Sequence, residues 1–261
     1  MKKIPFILLM TFVYTAIFSQ TSAEFKPHIY INEKADTLLY QLLSPQADRF
    51  EKRMPLVIFL HGAGERGDDN TKQLTHGAST FLNEKNQKQF PAYVVFPQCP
   101  ESDYWSSVKI DRTQMPLQLD FNYERPLTKS LQLVVSLIRK LIDEKPIDPK
   151  RIYVVGLSMG GMGTFEIIHH YPELFAAAIP ICGGGDALQF NKRAARIPLW
   201  IFHGDADGVV KVDYSRTMLN RIQKYNKDVR YTEYKGVNHN SWDYAFQEPD
   251  FLSWLFDKQK K

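Results

Sequence analysis

The sequence predicts an α/β fold: a mostly parallel, eight-stranded sheet with helices on both faces. Three observations predict it. Short apolar runs bounded by Gly, Pro or Asp recur along the chain, as strands buried on both faces require. Helical patterns fall between these runs, and strands that alternate with helices pair in parallel through crossover connections. Glycine-rich or polar segments follow several of the runs, and in such sheets ligands bind beyond the C-terminal ends of the strands.

The first residues lie outside this core. Lys2 and Lys3 precede an apolar run from Ile4 to Phe18, and Thr21-Ser22-Ala23 supplies the small residues of a signal-peptidase site. The run is short for a membrane span. Residues 1–23 are therefore expected to be a signal peptide and residues 24–261 a single domain, with the product secreted or periplasmic and not stably inserted in a membrane.

From Glu24 onward, strands are predicted at 26–32, 37–43, 56–60, 93–96, 152–155, 177–181, 199–202 and 229–234. Helices are predicted at 127–145, 159–170, 214–225 and 250–258. Within the first of these, Leu131, Val134, Val135, Ile138, Leu141 and Ile142 recur at helical spacing and mark a buried stripe. At 261 residues, 44% hydrophobic and 24% charged, the composition suits one globular unit with a large core. The formal charge of +4 includes Lys2 and Lys3, and residues 1–23 hold no acid, so the remainder carries +2. That is too near neutrality, with its cations scattered among acids, to point to nucleic acid.

The chemistry centres on Gly156-Leu157-Ser158-Met159-Gly160, a G-x-S-x-G pattern between the 152–155 strand and the 159–170 helix. A serine on so sharp a turn needs almost no side chain two residues to either side, which glycine provides. The helix that starts at Met159 turns its N-terminus, with free N–H groups, toward the serine. A serine hydroxyl is a poor nucleophile near neutral pH; it needs a base, and the base needs an acid to hold its tautomer. When these follow in the order Ser, acid, His, only His239 of the seven histidines qualifies as the base. The acid is sought after the 199–202 strand, in His203-Gly204-Asp205-Ala206-Asp207, where two aspartates compete. Asp207 lies further into the loop and is preferred; Asp205 suits a turn cap, and Asp213 a helix N-cap.

An oxyanion intermediate needs two preorganised N–H donors. Met159 is expected to supply one. The other is expected from the loop His61-Gly62-Ala63-Gly64-Glu65-Arg66-Gly67, with Ala63 ahead of Gly64; the Lys-Ser/Thr ending of a phosphate-binding loop is absent there. Glu65 and Arg66 read as braces for this loop. His169 and His170 end a helix, where cationic character suits the dipole, and the histidines lack the H-E-x-x-H zinc spacing, so no metal is called for.

Together with Pro97-Gln98-Cys99-Pro100 and Pro180-Ile181-Cys182-Gly183-Gly184, these motifs resemble the α/β-hydrolase superfamily across nearly the whole chain after residue 23. Within it the chain resembles the secreted phospholipase/carboxylesterase-like group, which overlaps with feruloyl and acetyl-xylan esterases and with predicted peptidases. The resemblance implies Ser158, Asp207 and His239 as a catalytic triad, Ala63 and Met159 as oxyanion donors, and Trp105 as an aromatic lining the substrate pocket. His76 and Trp242, in loops on the same side, are further candidate contacts, with Gly64. No cofactor is required. The expected partner is a small-molecule or polysaccharide-linked ester; the oligomeric state is not indicated.

Two further expectations follow from that fold. Two strands would separate those preceding Cys99 and Cys182, too far for the Cα approach of about 7 Å that a disulfide needs, so both thiols should be free. About seventeen residues connect Ile181 to Leu199, where lipase-like lids are often inserted, which leaves no room for a large lid. An open site favours esters such as acetyl or feruloyl groups on plant polysaccharide. A peptidase acting on short peptides and a non-catalytic glycan-binding protein are the alternatives; too little chain precedes the first motif for the propeller of prolyl-oligopeptidase relatives.

Overall fold

The computed structural model describes residues 24–45 and 53–260. The expected signal peptide lies outside the described residues. An antiparallel pair opens the fold, β1 (Phe25–Ile31) and β2 (Thr37–Leu43). Then come β3 (Met54–Leu60), α1 (Ala78–Leu82), α2 (Glu84–Gln89) and β4 (Tyr93–Gln98). A small hairpin, β5 (Lys109–Asp111) and β6 (Gln118–Asp120), precedes α3 (Lys129–Glu144). The second half runs β7 (Ile147–Leu157), α4 (Met159–His170), β8 (Ala177–Ile181), β9 (Trp200–Gly204), α5 (Val212–Ile222), β10 (Arg230–Tyr234), α6 (Ser241–Ala245) and α7 (Phe251–Phe256).

The main sheet has eight strands in the order β1-β2-β4-β3-β7-β8-β9-β10. Pairing is antiparallel from β1 to β4 and parallel from there to β10. Alternation along the central strands separates two cores. Leu56, Ile58, Leu60, Ile152 and Val154 face one side with Leu131, Ile138 and Phe165 of α3 and α4. Val57, Phe59, Tyr153 and Val155 face the other with Phe81, Phe251 and Leu255. Each such side chain contributes about 1.5–3 kcal/mol by leaving water, so the centre of the sheet is a stiff frame for the loops at its C-terminal edge.

All eight predicted strands are present. The fifth begins earlier than expected, at Ile147, because Met54 pairs with it across a register shift; Asp148, Pro149, Lys150 and Arg151 hide this start in the sequence. The helix predicted at 214–225 spans Val212–Ile222. Asp213 is therefore not its N-cap but lies in its first turn, paired with Arg216 at 2.9 Å. Cys99 and Cys182 follow β4 and β8, with β3 and β7 between, and both thiols are free. The β8–β9 connection carries only a short 3-10 turn, Ala194–Arg196. Among the described residues no helix is long and apolar enough to cross a membrane.

Candidate active site

Ser158 stands between β7 and α4 with φ 53° and ψ −116°, a backbone region that non-glycine residues seldom occupy. The neighbouring glycines make this turn possible. A Cβ on Gly160 would collide with the Leu60 carbonyl, and one on Gly156 with the Gly160 carbonyl and, at 2.7 Å, with Thr164 Oγ1. The Ser158 N–H donates to the Ile181 carbonyl at 2.8 Å, which ties the turn to β8.

His239 and Asp207 meet this serine as the sequence order predicts. His239 Nε2 lies 2.9 Å from Ser158 Oγ, and His239 Nδ1 lies 2.8 Å from Asp207 Oδ2. Burial pushes the Asp207 carboxyl up, but hydrogen bonds from His203, His239 and the Val209 amide outweigh it and hold it well below the usual carboxylate range. An ionised carboxylate only accepts, so Nδ1 of His239 carries the proton and Nε2 is free to accept that of Ser158. Asp207 Oδ1 accepts from the Val209 and Val210 N–H groups at 2.8 and 2.9 Å. Asp205 instead accepts from the Gly236 N–H at 2.6 Å and pins one loop to the next. Asn238, which the sequence did not single out, joins the same loops by accepting from the Gly208 N–H at 2.9 Å.

Ala63 opens a 3-10 turn, Ala63–Glu65, directly after β3. Arg66 braces it, donating from Nε to the Ala63 carbonyl at 3.1 Å and from a terminal nitrogen to the Glu101 carbonyl at 3.0 Å. His61 locks the base of the loop: its Nδ1–H donates to the Gly62 carbonyl at 2.6 Å and its Nε2 accepts from the Cys99 N–H at 3.0 Å. The Ala63 and Met159 N–H groups engage no acceptor among the described residues, which leaves both able to face an oxyanion.

A cavity of about 210 Å³ opens at Ser158 and His239. Gly64, His76 and Trp242 line it as expected; the Trp242 ring also meets the His239 ring edge-on at 5.4 Å. Trp105 does not. It is wholly buried, packed edge-on against His61 at 5.3 Å and beneath Gly163, and its neighbour Tyr104 lines the cavity instead. The loop is drawn inward because buried Glu166 of α4 accepts from the Ser106 hydroxyl at 2.6 Å and the Ser107 N–H at 2.9 Å. The far wall comes from the β5–β6 hairpin through Arg112, Met115 and Leu117, so the covering element lies before α3 and not between β8 and β9. The hairpin is tied to the acid loop by the Leu117 N–H, which donates to the Val209 carbonyl at 2.8 Å. His169 and His170 are not a cationic helix cap: burial pushes His169 down to about 4 and lowers His170, and His169 Nδ1 accepts from the Asn191 N–H.

This fold, with serine, imidazole and carboxylate linked in sequence, is that of the α/β-hydrolases. Residues 47–253 match the phospholipase/carboxylesterase family, and the chain belongs to it. It is 39% identical to a thermostable esterase of known structure, with a TM-score of 0.81 over 90% of this chain and 63% of that one. Over 217 residues it is 27% identical to "Probable carboxylesterase SOBER1-like" of Arabidopsis thaliana, covering 76% of this chain and 77% of the relative. An 83-residue stretch is 35% identical to a bifunctional acetylxylan esterase/xylanase of Neocallimastix patriciarum, covering 32% of this chain and 12% of that protein. The chain thus spans less than two thirds of the thermostable esterase and a small part of the bifunctional enzyme.

Proposed function

We propose that the protein is an exported esterase that removes acyl groups, acetyl or feruloyl, from plant polysaccharide. The observation that carries this is the continuous hydrogen-bonded path from Asp207 through His239 to Ser158, opening onto a cavity of only about 210 Å³. That space takes the acyl group and leaves the bulky alcohol outside. The likeness of one segment to an acetylxylan esterase/xylanase supports the same substrate class.

In this mechanism Ser158 Oγ attacks the ester carbonyl while His239 Nε2 takes its proton. The tetrahedral oxyanion lies against the Ala63 and Met159 N–H groups, each such donor being worth about 2.7–4 kcal/mol. Asp207 stays ionised and stabilises the imidazolium. His239 returns the proton to the departing alcohol, leaving an acyl-Ser158, and water then enters with His239 again as base.

The test is hydrolysis of matched acetyl, butyryl, octanoyl and feruloyl esters, of acetylated xylan and of a peptide amide, beside Ser158→Ala. Acetate or ferulate release that disappears in Ser158→Ala is the expected result. Turnover confined to octanoyl esters would overturn the substrate class, and turnover confined to peptide amides would overturn the esterase reading.

A further inference from the structure

Asp207 is held by a second histidine. His203, in β9, is fully buried, and its Nε2 lies 2.9 Å from the Val210 carbonyl and 3.1 Å from Asp207 Oδ2. Its Nδ1 lies 2.7 Å from Ser215 Oγ in α5, which is in turn 3.1 Å from the Gly183 carbonyl. A carbonyl oxygen only accepts, so Nε2 of His203 must carry a proton, and Asp207 Oδ2 stands close enough to share it. Two serine–histidine arms therefore converge on one carboxylate oxygen: Ser158–His239 from the cavity and Ser215–His203 from the core. The inner arm is not a second nucleophile, because Ser215 and His203 are both sealed from solvent.

We propose that His203 is a positioning residue for ester hydrolysis: its Nε2–H fixes Asp207 Oδ2 at the point from which that oxygen orients His239. The proposal rests on the serine-esterase reading. The Val209 and Val210 amides hold Oδ1, but hydrogen bonds tolerate a range of angles and the Cβ–Cγ torsion has broad minima, so bonds to one oxygen alone leave the carboxylate some swing. A donor on the second oxygen narrows that swing. His203 is suited to this because Ser215 and the Val210 carbonyl hold its ring at both nitrogens.

His203→Gln and His203→Asn separate the roles. The longer amide can place an N–H near the Nε2 position, whereas the shorter one reaches only the Nδ1 position beside Ser215. The expected result on a small acetyl ester is a loss in kcat of about ten- to a hundredfold for His203→Asn, KM changing less than about twofold, and most of that loss restored in His203→Gln. In the unmodified protein labelled with ¹⁵N-histidine, His203 Nε2 should appear protonated. This readout needs no substrate, so it stands even if the ester reading fails, and needs no variant that must fold. Equal losses in the two variants, no loss in either, or a bare His203 Nε2 would overturn the proposal.

Discussion

At the scale of single residues, the two aspartates after β9 differ in what they hold. Asp207 is buried and orients His239, whereas Asp205 is exposed and accepts from Gly236. Asp207→Asn should lower kcat by about 10⁴-fold, because the amide can present N–H to His239 and favour the wrong tautomer. Asp205→Asn keeps the acceptor for Gly236 and should leave kcat nearly unchanged; a comparable loss in both variants would contradict the assignment. Ser158 and His239 were legible in the sequence because spacing and order alone select them. The orientation of Tyr104 and Trp105 was not, since it depends on Gly163 and Glu166, some sixty residues away. His203 was equally hidden: it reads as the first residue after a strand until its distances to Asp207 and Ser215 are known.

At the scale of elements, the junction of β3, β7 and α4 is set by close backbone approach. Gly160→Ala would press a methyl group into the Leu60 carbonyl, which the buried sheet cannot move aside. A loss of about 3 kcal/mol is expected, read as a fall in the urea midpoint. Gly64→Ala meets nothing within 4 Å and should leave that midpoint in place. A tolerated Gly160→Ala would show that the junction can yield. Central strands such as β3 announce themselves because every residue is buried on one face or the other. The β5–β6 hairpin does not: each strand has three residues, and of the six only Leu119 is buried. Its place comes from Val209 and Tyr214, the latter accepting from the Leu119 N–H at 2.8 Å, so no local pattern could disclose it.

At the scale of the whole molecule, buried histidines couple stability to pH. Burial pushes His61 down to about 4 from an ordinary 6.5, and His169 likewise to about 4. Between these values the unfolded chain binds protons that the folded chain refuses, so stability is full above pH 6.5 and is lost as pH falls toward 4. His61, only 1% exposed, contributes about 3 kcal/mol to that loss. Glu166, raised by burial, acts in the opposite sense above 4.5, its folded form losing stability as pH rises through its own value. Thermal midpoints measured from pH 7 to 4 should fall, and a midpoint that holds steady or climbs would contradict the histidine account. The two thiols follow the same physics to a different end. Burial pushes Cys99 up to about 12 and Cys182 upward as well, although Cys182 sits against the Ser158 backbone. Neither offers a thiolate at neutral pH and both are buried, so oxidants and alkylating agents find no cysteine sulfur to attack. The folded domain keeps both cysteines as thiols in reducing and oxidising surroundings alike, with Ser158 beside a sulfur that stays inert.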